Sequence, residues 1–549
     1  MFYTDNTFLK NSVIVSRLDV TLPFESVILE PPVAEWPVSR SELSSSALSE
    51  LRLTVRKRLV DSAEQFVLRL TEVAQRAGLL QGDRPLLTGD PATTMLVMTG
   101  HQPVVFHSGL TFKYQATEAF AAEHHLIAVA VVIDTDEGDA GAISIPTTET
   151  LRQNSAKSGD AIPELESKSI SLAQRPGLFA ASRLKTPPAL AAELTEAEIQ
   201  MRQCGAATAA DAFRSVANQY LALTERSPGG FSTLEANLIT RWNANIGGRM
   251  LEIPLSAICS FPEFIRVTAS ILERPIEFAA CYNQTLDQFR AARQIRNEAN
   301  PFPNLAIEDQ WCELPYWVIN HAMGTRQVLQ VRRESEGLAL ECNRERLLIL
   351  QAGQTAEALT SLLFGGYELV PRGALITATL RLLFSDLFVH GTGGGHYDLC
   401  TNELIRNWWH EEPTPFAVAS ASRYLFAAER TRLMELQQAA AQQRDMQYNP
   451  QRFIGSNVFS AALEEQLKSL LSEKETRVRQ MSLVRESGQS AKDLGRQIQE
   501  ITDAIKAAVS EEFEPRLAEL RSLNDRNVSA ITSRTWPWLL FQGEVCLKE

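Results

Sequence analysis

The chain has 549 residues, 44% of them apolar and 22% charged, with a formal net charge of -13. That length exceeds one simple core and predicts two or three structural units, while the acidic balance argues against a general affinity for nucleic-acid backbone or an anionic membrane. Seven scattered cysteines never form a CxxC pair, so neither a disulfide framework nor a zinc knuckle follows from them.

The opening MFYTDNTFLKNSVIVSRLDV lacks a basic segment followed by an apolar core, and no stretch approaches the roughly 18 apolar residues of a membrane span. The cytoplasm is therefore the expected location. Residues 1–90 read as an N-terminal segment: a Pro-rich lead, EPPVAEWPVS, then a helix from about Ser46 to Ala77. Leu51, Val55, Leu59, Phe66 and Leu70 recur there at helical spacing.

Residues 91–421 read as an α/β core. MLVM is a short apolar run, LTFKYQATEAFAAEHH reads as helix, and IAVAVVIDTD reads as a buried parallel strand ending in acids. That order is a βαβ unit whose turn lies at the C-terminal end of its first strand, where open α/β sheets place ligands. Residues from about 146 to 250 are polar and helical and look like an insertion. Strand-like text returns at MLEIPLS, at RQVLQVRR with LALEC, and at ALITATLRLLFSDLFVHG, where the sheet is expected to resume.

Residues 422–524 change character, with Leu494, Ile498, Ile501 and Ile505 forming a seam that suits a coiled coil. YNPQRFIGSN divides it into outgoing and returning parts of an antiparallel hairpin, and Pro515 is expected to kink the return. The aromatic tail within 525–549 is expected to dock on the core.

Four stretches carry candidate chemistry. In TMLVMTGHQPVVFHSGLTFKYQATEAF, a strand stops at Thr99-Gly100 and releases a helix whose free N–H groups attract phosphate or carboxylate. His101, Gln102, His107 and Lys113 follow at that edge, and two imidazoles beside a phosphate can stabilise charge on a transferring group. The spacing resembles nucleotidyl transferases and class I aminoacyl-tRNA synthetases. The competing reading is that His101 and His107 merely cap or pack at the turn, and a lone lysine is more often solvated.

In IDTDEGDAG, Asp134, Asp136 and Asp139 can bind a ribose hydroxyl, an amine or Mg²⁺, or form a solvated acidic turn. In FVHGTGGGHYDLCTNELIRNWW, His390, Gly391 and the glycines Gly393, Gly394 and Gly395 form an expected turn, with a helix opening near Tyr397-Asp398. Consecutive glycines let backbone approach a ligand or close a ligand-free turn. In CYNQTLDQFRAARQIRNEANPFPNL, Asn283 and Arg290 fall at helical spacings, although so polar a helix usually faces water.

Taken in order, TGHQPVVFHSGL, VVIDTDEGD, CYNQTLDQFR, the Gly-rich stretch after FSDLFVHG and the terminal helical seam resemble the bacillithiol biosynthesis cysteine-adding enzymes, over roughly residues 90–549. The resemblance implies a Rossmann-like, nucleotidyl-transferase-type core with helical insertions and a C-terminal antiparallel coiled coil that forms a homodimer. It implies a ligase that joins cysteine to an amino-sugar acceptor.

On that reading His101, His107, Lys113, Asp134 and Asp136 are catalytic. Thr99, Gly100, His390, Gly391, Gly393, Gly394, Gly395 and Asp398 hold an adenine nucleotide, ATP or ADP, with Mg²⁺. Gln102, Asn283, Arg290 and Tyr397 meet the small-molecule substrate. No nucleic acid, membrane or protein-held metal is expected. A metal-dependent hydrolase built on the histidines and acids, and a non-catalytic dimeric scaffold, are the competing readings.

Overall fold

The computed structural model describes residues 25–148, 165–225, 230–297, 301–487, 489–523 and 525–541. Expectations for the first 24 and last eight positions lie outside them. The protein is mixed α/β.

Its main sheet has six strands: β1 (Ser26–Glu30), β2 (Leu96–His101), β3 (Ile127–Val132), β4 (Leu251–Pro254), β5 (Leu387–His390) and β6 (Phe416–Ser422). They lie in the order β1-β6-β5-β2-β3-β4. β1 runs antiparallel to β6, with Ser26 opposite Ser422, and every other pair is parallel. From β2 the chain steps outward to β3 and β4, then returns to the other side of β2 for β5 and β6. The direction of winding therefore reverses between β2 and β5, and all five parallel strands end on one edge.

Covering both faces explains the near-continuous apolar text of these strands. Leu96, Met98, Ile127 and Val129 pack with Val55 and Leu59 of helix α1 (Ser46–Arg76) on one face. Val97, Ala128, Val389 and Ala417 pack with Phe112 and Phe120 of helix α2 (Ser108–Glu123) on the other. Ser45 begins α1, its Oγ accepting the Leu48 N–H at 3.3 Å.

The insertion begins directly after β3 rather than near residue 146. It comprises a ribbon, Ala142–Thr147 against Glu166–Ser171, and helices Pro187–Gln203, Ala207–Thr224 and Thr233–Asn243. Phe213, Tyr220 and Trp242 bury themselves with Trp536, Leu539 and Leu540 of the tail. Trp538 N–H donates to Phe106 O at 3.0 Å, and Pro537 bridges to His107.

Three sequence expectations are corrected. RQVLQVRR and LALEC do not rejoin the main sheet; they belong to a separate antiparallel sheet of Trp311–Asn320, Thr325–Glu334, Gly337–Cys342, Glu345–Leu350 and Tyr367–Pro371. The text ALITATLRLLFSDLFVHG divides: Ala374–Leu383 is helix α3, and only Leu387–His390 is strand. The glycine run is likewise no turn, because helix α4 (Thr392–Leu404) begins ahead of it.

Beyond β6 come α5 (Ala427–Tyr448), α6 (Ala461–Glu486) and α7 (Lys492–Ser522). Arg432 meets Glu519 at 2.8 Å and Gln447 meets Ser510 at 2.9 Å, so α5 runs antiparallel to α7. YNPQRFIGSN joins α5 to α6, which run in the same direction, and α7 returns against both. Leu463 and Leu467 pack against Ile501, Ile505 and Val509. Pro515 sits inside α7, which continues to Ser522. Among the described residues, no helix is long and apolar enough to cross a membrane.

Candidate functional site at the edge of the parallel sheet

β2 ends in a crowded backbone. A Cβ on Gly100 would lie 2.8 Å from Val131 O in the neighbouring strand, so the position tolerates little beyond glycine. Thr99 Oγ1 donates to Val389 O at 2.8 Å and ties β2 to β5 across the point where the winding reverses.

Lys113, one turn into α2, is only 3% exposed, and its Nζ donates to Gly100 O at 2.7 Å. It is not the solvated lysine that composition favours. Burial, with Arg241 nearby, pushes its amine down to about 7. Arg241 itself pairs with the buried Glu252, which also accepts the Trp242 indole N–H at 2.7 Å. Among the described residues Lys113 has no carboxylate partner.

The two histidines differ in use. Burial first, then Lys113, hold His101 down at about 3, so it is neutral at ordinary pH; its Nδ1 lies 3.2 Å from Gln102 O. His107 caps α2, with Nδ1 accepting the Gly109 N–H at 3.1 Å. Burial, then Arg534 and Lys113, lower it to about 4. Neutral His107 therefore carries its proton on Nε2, which remains a donor.

The acids after β3 diverge. Asp134 is 3% exposed and accepts both the Ser256 N–H, at 3.1 Å, and the Ser256 hydroxyl, at 2.5 Å. Burial outweighs those bonds and raises its carboxyl to about 6. Asp136 is more open and lies between the Gln102 amide, at 2.9 Å, and Arg326 of the second sheet, at 2.6 Å. Asp139 accepts from Gly141 N and Ser171 Oγ and holds its own turn. A cleft of about 450 Å³ opens beside Asp134, with Arg69, Arg183, Phe231 and Ser232 in its walls.

At the end of β5 the polar groups satisfy one another. Asp398 accepts from Arg381 at 2.6 Å and from His390 Nε2 at 2.9 Å, all three buried. Despite its burial, His390 and Arg381 hold the Asp398 carboxyl far below its usual range. A Cβ on Gly394 would lie 2.8 Å from His390 Nδ1, and one on Gly395 would collide with Val418. Those two glycines let α4 sit close on β5 and β6. Gly393 instead faces open space, and Gly391 caps α4 beside Leu110 of α2. The starts of α2 and α4 are thus neighbours, each with first-turn N–H groups that lack intrahelical partners.

Asn283, Arg290 and Tyr397 gather elsewhere. Asn283 clasps Leu305 through both its amide groups, at 2.8 and 2.7 Å. Arg290 donates to Asn304 Oδ1 and Phe302 O, each at 2.5 Å, and the Tyr397 ring lies 6.1 Å from Phe302. All three support the 302–305 segment. Sequence reasoning missed Ser256, Arg241 and Arg326, whose roles arise from contacts with distant segments. Among the described residues no three His, Cys, Asp or Glu side chains converge as metal ligands. No protein-family model matches the chain, and no curated protein is significantly similar to it.

Proposed function

We propose that the chain is a cytoplasmic ligase that joins cysteine, or a related small amino compound, to an amino-sugar or similar acceptor. Its adenine nucleotide, ATP or ADP with Mg²⁺, would sit between the ends of β2 and β5. The observation that carries this reading is Lys113: a buried amine without a counter-ion, placed where the winding reverses. A buried amine gains its charged form when an anion arrives. Phosphate is the anion that such a crevice suits, and the strand order supports a Rossmann-like core.

In this reading Lys113, His107 Nε2–H and the first N–H groups of α4 face the phosphates. Gly393, open to solvent, leaves room for them. Mg²⁺ brought by the nucleotide would meet Asp134 or Asp136. When bound, the nucleotide would activate the cysteine carboxyl, so that a phosphate or nucleotide leaving group departs as the carbon–nitrogen bond forms. Asp134, ionised above about 6, takes the proton of the attacking amine, and the cleft beside it receives the acceptor. His390 and Asp398 act through packing, since their polar atoms are engaged. The helices α5–α7 are read as a coiled-coil arm for a homodimer, supported by Val478 and Leu483, 40% and 66% exposed near its turn. A non-catalytic scaffold leaves the buried amine without a purpose, and a metal-dependent hydrolase lacks a donor set among the described residues.

Calorimetry with ATP and ADP, each with and without Mg²⁺, tests the reading. The wild type should bind, and Lys113→Ala or His107→Ala should weaken binding by about 10- to 150-fold, the effect of losing one charge-assisted contact. Folded wild-type protein that binds neither nucleotide in any condition overturns it.

A further inference from the structure

The second sheet reaches the proposed site through Arg326. Arg326, on the strand Thr325–Glu334, leaves its own sheet and donates through Nη1 to Asp136 Oδ1 at 2.6 Å and to Thr135 O at 3.2 Å. Its backbone N–H donates to Glu137 Oε1 at 3.1 Å, and its Nε lies 3.7 Å from Glu137 Oε2. The guanidinium stacks on the Trp317 ring at 4.4 Å, and Arg372 lies over the same ring at 4.8 Å. Arg372 in turn faces Glu313 at 3.8 Å. The other oxygen of Asp136 accepts the Gln102 amide at 2.9 Å. One continuous polar chain therefore runs from the second sheet to the turn that leaves β2.

A planar guanidinium held against an indole is oriented before it bonds anything else, so it can fix a carboxylate in direction as well as in charge. Asp136, 30% exposed, would otherwise be free to rotate into solvent. Gln102 would then lose its only side-chain partner among the described residues.

We infer that Arg326 is a positioning residue for the proposed site: from the second sheet it fixes the Asp136 carboxylate, and through it the Gln102 amide, at the turn that follows β2. What that turn binds rests on the ligase reading; the coupling does not.

Hydrogen-exchange mass spectrometry on the full chain separates the two. Arg326→Gln should speed exchange about tenfold at residues 99–106 as well as 133–138, the effect of losing one partly exposed charge-assisted bond. Arg326→Lys, which keeps the charge but not the stacked plane, should fall between it and the wild type. Asp136→Asn should reproduce the change at 99–106, and the double variant should add nothing there. Acceleration confined to 311–334, or additive effects in the double variant, overturns the inference. Where the wild type binds nucleotide, Arg326→Gln should weaken it without abolishing it; where it binds none, the ligase reading falls and the exchange pattern still decides the coupling.

Discussion

The ends of β2 and β5 carry the same kinds of residue, histidine, glycine and a charged side chain, yet their charges meet opposite fates. At the end of β5, the buried Asp398 carboxylate accepts from both Arg381 and His390. After β2, burial strips water from Lys113, His101 and His107, and none of the three has a carboxylate partner among the described residues. The first arrangement is satisfied within the fold, and the second leaves the Lys113 amine buried with no carboxylate partner among the described residues. Glycine-rich text beside a histidine marks close helix–strand packing here, since Gly394 and Gly395 lie against His390 and Val418.

The largest expected effect sharpens this contrast. Asp398→Asn leaves Arg381 and His390 buried without their anion and should cost about 3 to 5 kcal/mol of stability by urea unfolding, while nucleotide affinity in the folded fraction stays unchanged. An equal loss of affinity would break the comparison.

Next in size is a pair of glycine variants. Gly395→Ala drives a methyl into Val418 and should cost about 1 to 3 kcal/mol. Gly393→Ala meets open space and should stay within about 0.5 kcal/mol in thermal unfolding, so equal costs would mean that α4 does not pack as described.

The smallest effect is a pH slope. In the folded protein Lys113 is held down at about 7 against its ordinary 10.5. Between those values the unfolded chain binds the extra proton, so stability contributed by this group rises with pH. Lys113→Met should remove roughly 1 to 2 kcal/mol of that rise between pH 9 and 10, read as converging urea midpoints. A slope that survives the substitution would show the amine to be better solvated than its burial implies.

Much of the architecture was legible in the residues. α1 announces itself by apolar spacing, and the βαβ unit by an apolar run, a helix and a second apolar run ending in acids. The second sheet was misplaced although a clue was present: Thr325 to Leu350 holds three strands joined by two-residue links. Parallel neighbours need crossovers of a dozen residues or more, so such links demand an antiparallel meander. ALITATLRLL could not be settled from text, because a short apolar run suits a buried strand and a buried helix alike. The site was legible only in part. Lys113, His101 and His107 lie where the strand–turn–helix pattern puts them, but Ser256 beneath Asp134, Arg381 beneath Asp398 and Arg326 beside Asp136 are partners brought by folding, with no local signal.

The bridge between His107 and Pro537, with Trp538 donating to Phe106 O, joins the turn after β2 to residues near the other end of the chain. On the ribosome, the parallel strands can assemble while the tail is still being made, but the loop that presents His107 cannot be clamped. That turn can become rigid only after residues 537 and 538, more than 400 positions downstream, have been made and folded back onto it.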